Sequence, residues 1–320
     1  MEAVKIAFFG TPLLARVCLE ALAQAFEVGL VVTKADKECG RGRRISHSPV
    51  KEYALAHGIE VCHWPAARDE IAGEMKRRGI GLGVVVAYGK ILPEAVIETP
   101  SHGSLNLHAS LLPKYRGPSP LVAAVLEGET TTGITLQKMA RRMDAGDVIL
   151  QREVPIGRED TAADLLERVM EACPGFLVEG IRGFVSGTLQ PRPQNEAEAT
   201  YCSMIGKEDG LIDWSAQDRT VVNRIRAYNP WPVAYTFLDG KALRIFKACR
   251  TARGETEDSG SSGEPGTVIG IDREEGVLTL TGDGVVGLRQ LQLENRRSMT
   301  HTEFACGCRG LVGKVLKNQP

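Results

Sequence analysis

An apolar run at Val4–Phe9, interrupted only by Lys5 and stopped at Gly10, is followed a short helix later by a second run, Val28–Thr33. Between them Leu13, Leu14, Val17, Leu19, Ala21 and Leu22 supply the apolar positions of a helix, and Pro12 suits its first turn. Two short buried strands joined through a helix pair in parallel, by a crossover of fixed hand. This β-α-β opening therefore points to an α/β sheet with crossover helices. The pattern continues with strands at Ile59–Cys62, Gly83–Ala87, around Leu105 and Leu107, Ile134–Lys138 and Val148–Val154. Helices are predicted at Val50–Ala56, Ile71–Arg78, Leu121–Leu126 and from about Thr161 to Val185, the last capped by Asp160 or Thr161.

The character then changes. Gly187–Ala199 holds two prolines and many polar residues and reads as a linker between domains. Beyond it a helix at Val221–Ala227 precedes short strand-like runs: Ala234–Leu238, Leu243–Lys247, Val268–Ile271, Val277–Leu280 and Val285–Leu291. Turn signals at Asp239-Gly240 and Gly282-Asp283-Gly284 separate them, which suggests a small barrel. Tyr235 and Phe237 are expected in its core, and Gly254–Gly266 as a loop between strands. The domains are accordingly expected at 1–187 and 207–320, with 188–206 between them. A length of 320 residues suits two domains, and 43% hydrophobic with 25% charged residues is ordinary globular composition, which excludes a wholly disordered chain. No run approaches the ~18 apolar residues of a membrane span, and a cytosolic location is expected.

Eight scattered cysteines make no C-x-x-C pair. His301, Cys306 and Cys308 lack usual zinc spacing, so no metal is expected. At the first β-α turn, Phe8-Phe9-Gly10-Thr11-Pro12 keeps one of the three glycines of a dinucleotide fingerprint, and Pro12 removes an amide donor. Nicotinamide or flavin binding is excluded there.

The chemistry-bearing stretch is Ser104-Leu105-Asn106-Leu107-His108-Ala109-Ser110-Leu111-Leu112-Pro113-Lys114-Tyr115-Arg116-Gly117. On a strand, Asn106 and His108 point to one face, near the carboxyl end where open α/β sheets bind ligands. A histidine can hold a proton and an amide N–H can donate to a developing oxyanion, as acyl transfer requires. The alternative is a strand end whose polar side chains are merely solvated. Met143-Asp144-Ala145-Gly146-Asp147 is a second polar cluster, either a plain turn or the source of a carboxylate that holds His108. Lys37–Arg44, with Gly40 and Gly42 among Arg41, Arg43 and Arg44, is a basic loop suited to a phosphate backbone, or an ordinary solvated loop.

Taken together, Asn106-Leu107-His108-Ala109-Ser110-Leu111-Leu112-Pro113, Arg116-Gly117 and Asp144-Ala145-Gly146-Asp147 resemble the signature of the formyltransferases that use 10-formyltetrahydrofolate. Gly40-Arg41-Gly42-Arg43 with Ser48-Pro49-Val50-Lys51, Ile212-Asp213-Trp214, and Arg226-Ala227-Tyr228-Asn229-Pro230-Trp231-Pro232 resemble the branch whose acceptor is carried by a tRNA. The likeness covers almost the whole chain. It implies an α/β fold with a Rossmann-like parallel-sheet N-terminal domain and a C-terminal OB-like β-barrel. It implies catalytic roles for Asn106, His108 and Asp144, and a folate pocket involving Ser110, Leu111, Leu112, Pro113, Val86, Tyr88 and Leu92. Arg41, Arg43 and Arg44 would contact tRNA. The implied reaction moves a formyl group from N10 of the folate to the α-amino group of methionine on an initiator methionyl-tRNA, and a monomer is expected.

A net charge of −1 gives no global sign of an RNA partner. From Tyr201 to Pro320 there are 16 basic and 15 acidic residues, but four of the acids (Glu255, Glu257, Asp258, Glu264) sit in one Gly/Ser-rich stretch. Without that stretch the segment carries a modest basic excess, and local charge decides steering. The rival acceptors are an amino-sugar nucleotide and a ribosylated glycinamide. The enzymes acting on the latter lack a C-terminal barrel, so this chain is too long for that role. A non-catalytic RNA-binding protein would not need Asn106, His108 and Asp144 together.

Overall fold

A computed structural model describes residues 4–39, 44–64, 70–251, 263–308 and 310–320. Arg41 and Arg43 of the basic loop, and most of the 254–266 stretch, lie outside the described residues. The chain forms two compact units: 1–120 with 132–154 and 167–202, and 121–131 with 155–166 and 203–320.

The first unit is built on β1 (Lys5–Gly10), α1 (Leu13–Ala25), β2 (Glu27–Lys34), the hairpin β3 (Lys37–Cys39) and β4 (Arg44–Ser46), α2 (Pro49–Ala56), β5 (Val61–Trp64), α3 (Ile71–Arg77) and β6 (Leu82–Val86). It continues through α4 (Glu94–Ile97), β7 (Ser104–His108), β8 (Thr131–Lys138), β9 (Val148–Pro155) and most of α6 (Ala162–Val185), while α5 (Pro120–Leu126), after its first residue, and the start of α6 fall in the second unit. The sheet order is β5-β2-β1-β6-β7-β8-β9. Strands β5, β2, β1, β6 and β7 run parallel, and β8 is antiparallel to β7. The order reverses between β1 and β6, which makes the carboxyl ends of β1, β6 and β7 the natural crevice. All five residues of β6 are buried, as expected of a central strand covered on both faces.

Local signals account for the elements. Ser48 caps α2, its hydroxyl accepting from Lys51 N at 3.1 Å with Pro49 in the first turn. Thr161 caps α6, accepting from Asp164 N at 3.3 Å while Asp164 accepts from Thr161 N at 2.8 Å. Gly10 serves packing. A Cβ there would lie 2.6 Å from Ala15 Cβ and 3.0 Å from Val86 O, so the glycine lets α1 and β6 close on the end of β1.

The second unit holds α7 (Asp218–Ala227), β10 (Ala234–Leu238), β11 (Lys241–Arg250), β12 (Val268–Asp272), β13 (Gly276–Leu280), β14 (Val285–Leu293), β15 (Met299–Thr300) and α8 (His301–Gly307). Its antiparallel sheet runs β10-β11-β14-β13-β12, with β15 on β14. Residues 313–317 bridge both edges. Phe237 exchanges backbone hydrogen bonds with Lys317 at 2.9 Å, and Val268 with Gly313 and Lys314 at 2.8 Å. This closes the sheet in the manner of a barrel. The core is lined by Trp214, Ile225, Ala234, Leu243, Ile245 and Leu288 among others. Tyr235 and Phe237 are not in it, contrary to the sequence expectation. In β10 the buried residues are Ala234, Thr236 and Leu238, so strand alternation puts the two aromatic rings on the other face, edge to face at 5.9 Å. Among the described residues no helix is long and apolar enough to cross a membrane.

Tyr88 and Leu92, expected in a folate pocket, are buried with Phe9, Leu30, Met75 and Val96 in the core behind β6. The Tyr88 hydroxyl has no hydrogen-bond partner among the described residues, and burial pushes its phenol far above the ordinary value. An unpaired buried hydroxyl costs free energy. Tyr88→Phe is therefore expected to raise stability by about 1 kcal/mol, read as a higher urea midpoint. A lower midpoint would mean that the hydroxyl is paired.

Candidate active site

Asn106 and His108 sit at the carboxyl end of β7, two residues apart and hence on one face. The turn after β8 carries Asp144 back over that end, and its carboxylate becomes the hub. Oδ1 accepts from Asn106 Nδ2 at 3.3 Å and from Gln137 Nε2 at 3.1 Å. Oδ2 accepts from the backbone N–H of Gly117 at 2.9 Å and lies 3.6 Å from His108 Nδ1. The side chains of His108 and Asp144 are only 6% and 11% exposed. The three residues singled out by sequence thus converge.

The backbone around them sets the tautomer. His108 Nε2 lies 2.9 Å from the carbonyl of Tyr115, an obligate acceptor, so Nε2 carries hydrogen whether the ring is neutral or charged. Nδ1 is left facing Asp144 Oδ2 at 3.6 Å; in the neutral ring it carries a lone pair and no hydrogen to donate, and it is the atom that can take a proton. Asn106 commits one amide hydrogen to Asp144 and keeps the other.

The loop from Ser110 to Gly117 is held from below. Thr135 Oγ1 donates to Ser110 O at 2.6 Å and accepts from Leu112 N at 3.2 Å, and Gln151 Nε2 donates to Leu112 O at 2.8 Å. Ser110 and Leu112 are buried. Tyr115 and Gly117 both have positive φ, 58° and 123°. A Cβ on Gly117 would stand 2.2 Å from the carbonyl oxygen of Cys202. Val86, Tyr88 and Leu92 end or follow β6 with their side chains buried, whereas Ile91 is 82% exposed. Arg44 begins β4, which with β3 flanks the basic loop.

Sequence reasoning missed the groups that hold this constellation. Residues 194–202, read as linker, lie along the 115–119 loop. Arg116, 1% exposed, donates to Gln194 Oε1 at 2.8 Å, to Glu196 Oε1 at 2.8 Å and to the Tyr201 hydroxyl at 3.3 Å. The guanidinium keeps the Glu196 carboxyl below its ordinary range. The backbones join as well: Arg116 N donates to Thr200 O and Cys202 N to Arg116 O. The Cys202 thiol donates to Arg116 O at 3.4 Å and accepts from Ser119 N at 3.4 Å. An arginine followed by glycine beside the His108 segment was the one local hint of a buried clamp.

Comparison with known proteins gives this geometry relatives. A family model described as formyl transferase matches residues 4–181, and one described as formyl transferase, C-terminal domain, matches residues 204–309. The chain is 38% identical over 311 residues to a methionyl-tRNA formyltransferase of Geobacter sulfurreducens, covering 97% of this chain and 95% of that one. It is 39% identical over 309 residues to that of Heliobacterium modesticaldum, covering 96% and 98%. Among solved structures, an N-formyltransferase from Helicobacter canadensis in complex with folinic acid and dTDP-3-aminofucose superposes with a TM-score of 0.65 at 21% identity, covering 89% of this chain and 99% of that chain. HypX from Aquifex aeolicus in complex with tetrahydrofolic acid gives 0.63 at 21% identity, covering 98% of this chain and 49% of that chain. These two share the fold.

Proposed function

The chain belongs to the formyl transferase family, in its methionyl-tRNA formyltransferase branch, and on that premise we propose that it formylates the α-amino group of methionine on initiator methionyl-tRNA with 10-formyltetrahydrofolate as donor. The observation that carries the proposal is the convergence of Asn106, His108 and Asp144 at the carboxyl end of β7.

The neutral amine attacks the formyl carbon, forming a C–N bond and a tetrahedral carbon whose oxygen is negative. Collapse breaks the bond to N10 of the folate, so one proton must leave the amine and one must reach N10. Asn106 points its uncommitted amide hydrogen at the oxyanion, a contribution worth about 10²–10³ in rate when such a donor is lost. His108 takes the amine proton at Nδ1, the only ring nitrogen not tied to Tyr115 O. Asp144, 3.6 Å away, then faces an imidazolium, and the same proton is handed to N10. Free α-amino groups titrate near about 7.7–8, so the base needs little strength at neutral pH.

The folate would lie against the Ser110–Pro113 loop and the 86–92 segment. Since Val86, Tyr88 and Leu92 are buried, that segment would offer its backbone and the exposed Ile91. Arg41, Arg43 and Arg44 would meet tRNA phosphates, and binding would weaken with salt accordingly. The chain would act as a monomer.

The test is formylation of methionine-charged initiator tRNA by the purified protein, with an amino-sugar nucleotide as the parallel acceptor. Turnover on the tRNA alone is the expected result. Turnover on the sugar with none on the tRNA would overturn the acceptor and keep the donor.

A further inference from the structure

One side chain of the 194–202 segment bonds both to the Asp144 turn and to Arg116. The Gln194 Nε2 group donates to Asp144 O at 2.8 Å, to Gly146 O at 2.7 Å and towards Gln137 Oε1 at 3.3 Å. Its Oε1 accepts from Arg116 Nη2 at 2.8 Å and Nε at 3.1 Å. The amide has one possible orientation: its nitrogen faces only oxygen acceptors and its oxygen faces only guanidinium N–H groups. Neither a carboxylate nor an apolar side chain satisfies both ends.

The two ends belong to the two halves of the site. On one side is the turn that holds the Asp144 carboxylate, with Asp144 itself at φ 52°, a left-handed conformation that non-glycine residues keep only when their surroundings enforce it. Gln194 bonds to the carbonyls of Asp144 and Gly146 and so supplies that enforcement. On the other side is Arg116, between Tyr115, whose carbonyl orients His108, and Gly117, whose N–H holds Asp144 Oδ2.

We propose that Gln194 is a positioning residue for formyl transfer, locking the Asp144 turn to the 115–117 loop so that Asp144 and His108 keep their register. It acts through Asp144 and does not touch substrate. The proposal rests on the catalytic reading of Asp144 given above.

Two single variants and one background test it. Gln194→Glu keeps the shape and the acceptor towards Arg116, and replaces the donor with an anionic oxygen facing the Asp144 and Gly146 carbonyls. Gln194→Met removes both. Each is made in the wild type and beside Asp144→Asn, with urea midpoints to verify folding. In the wild-type background kcat is expected to fall about 10–100-fold with the KM for methionyl-tRNA changed less than about threefold, because small misplacement of a reacting group costs rate more than binding. Beside Asp144→Asn the further loss should shrink to under about twofold, since residues acting as a unit are not additive. Wild-type kcat in folded Gln194→Glu, or equal fold-losses in both backgrounds, would overturn the proposal even if Gln194→Met fails to fold. A wild-type protein inactive on methionyl-tRNA would sink the parent reading and this inference together. An active one with additive variants sinks this inference alone.

Discussion

His108→Ala is expected to lower formyl transfer by at least about 10²–10³-fold while changing affinity for methionyl-tRNA less than about twofold. The asymmetry follows from where the ring sits. His108 is 6% exposed, with Nε2 on a backbone carbonyl and Nδ1 towards Asp144, so it offers a long RNA almost no contact area. In the proposed reaction the variant loses the atom that receives the amine proton. Single-turnover formylation, with tRNA binding measured separately, reads the two effects apart, and matched losses in rate and affinity would remove His108 from the chemistry. Asn106→Ala should cost a similar factor by taking away the oxyanion donor. The double variant should cost much less than the product, because both side chains are organised by the same carboxylate.

The second large effect is structural at its origin. Gly117→Ala would place a side chain at φ 123°, where L-residues are strained, and set its Cβ 2.2 Å from Cys202 O. Backbone strain and overpacking each cost about 1–3 kcal/mol, so a destabilisation of about 2–4 kcal/mol is expected. Turnover should fall further than stability implies, because the amide of residue 117 donates to Asp144 Oδ2. Gly73→Ala is the control. Gly73 lies within α3 with open space where the Cβ would go, and the exchange should stabilise by up to about 1 kcal/mol through helix propensity. Urea midpoints of the two variants moving in opposite directions is the expected outcome. A neutral Gly117→Ala would mean the 117–202 contact yields easily.

The convergence of Asn106, His108 and Asp144 was legible because these residues carry their signal locally. Asn106 and His108 share a strand face by a spacing of two, and Asp144 sits in a turn of small residues. The architecture was legible for a similar reason, since apolar runs separated by a helical period admit few topologies. What escaped was whatever depends on distant chain segments meeting. Gln194 is 50 residues from Asp144 and lies among prolines and polar residues, where composition argues for a linker. The Tyr115 carbonyl and the Gly117 amide are backbone groups, to which residue identity is nearly blind. Hairpin β3–β4 was missed because its strands are short and charged. Tyr235 and Phe237 were misassigned by residue type, where the alternation of β10 would have put Ala234, Thr236 and Leu238 inside.

The cysteine that closes the 194–202 segment onto the 115–119 loop also makes that closure observable. The Cys202 thiol is engaged with Arg116 O and Ser119 N, and burial raises its pKa, so little thiolate is present at neutral pH. Cys306, in α8, is exposed. An alkylating reagent would therefore label Cys306 promptly and Cys202 at the pace at which the segment lifts away. The molecule thus carries its own clock for local opening beside His108 and Asp144, and its ticking should slow in any state that pins the Asp144 turn.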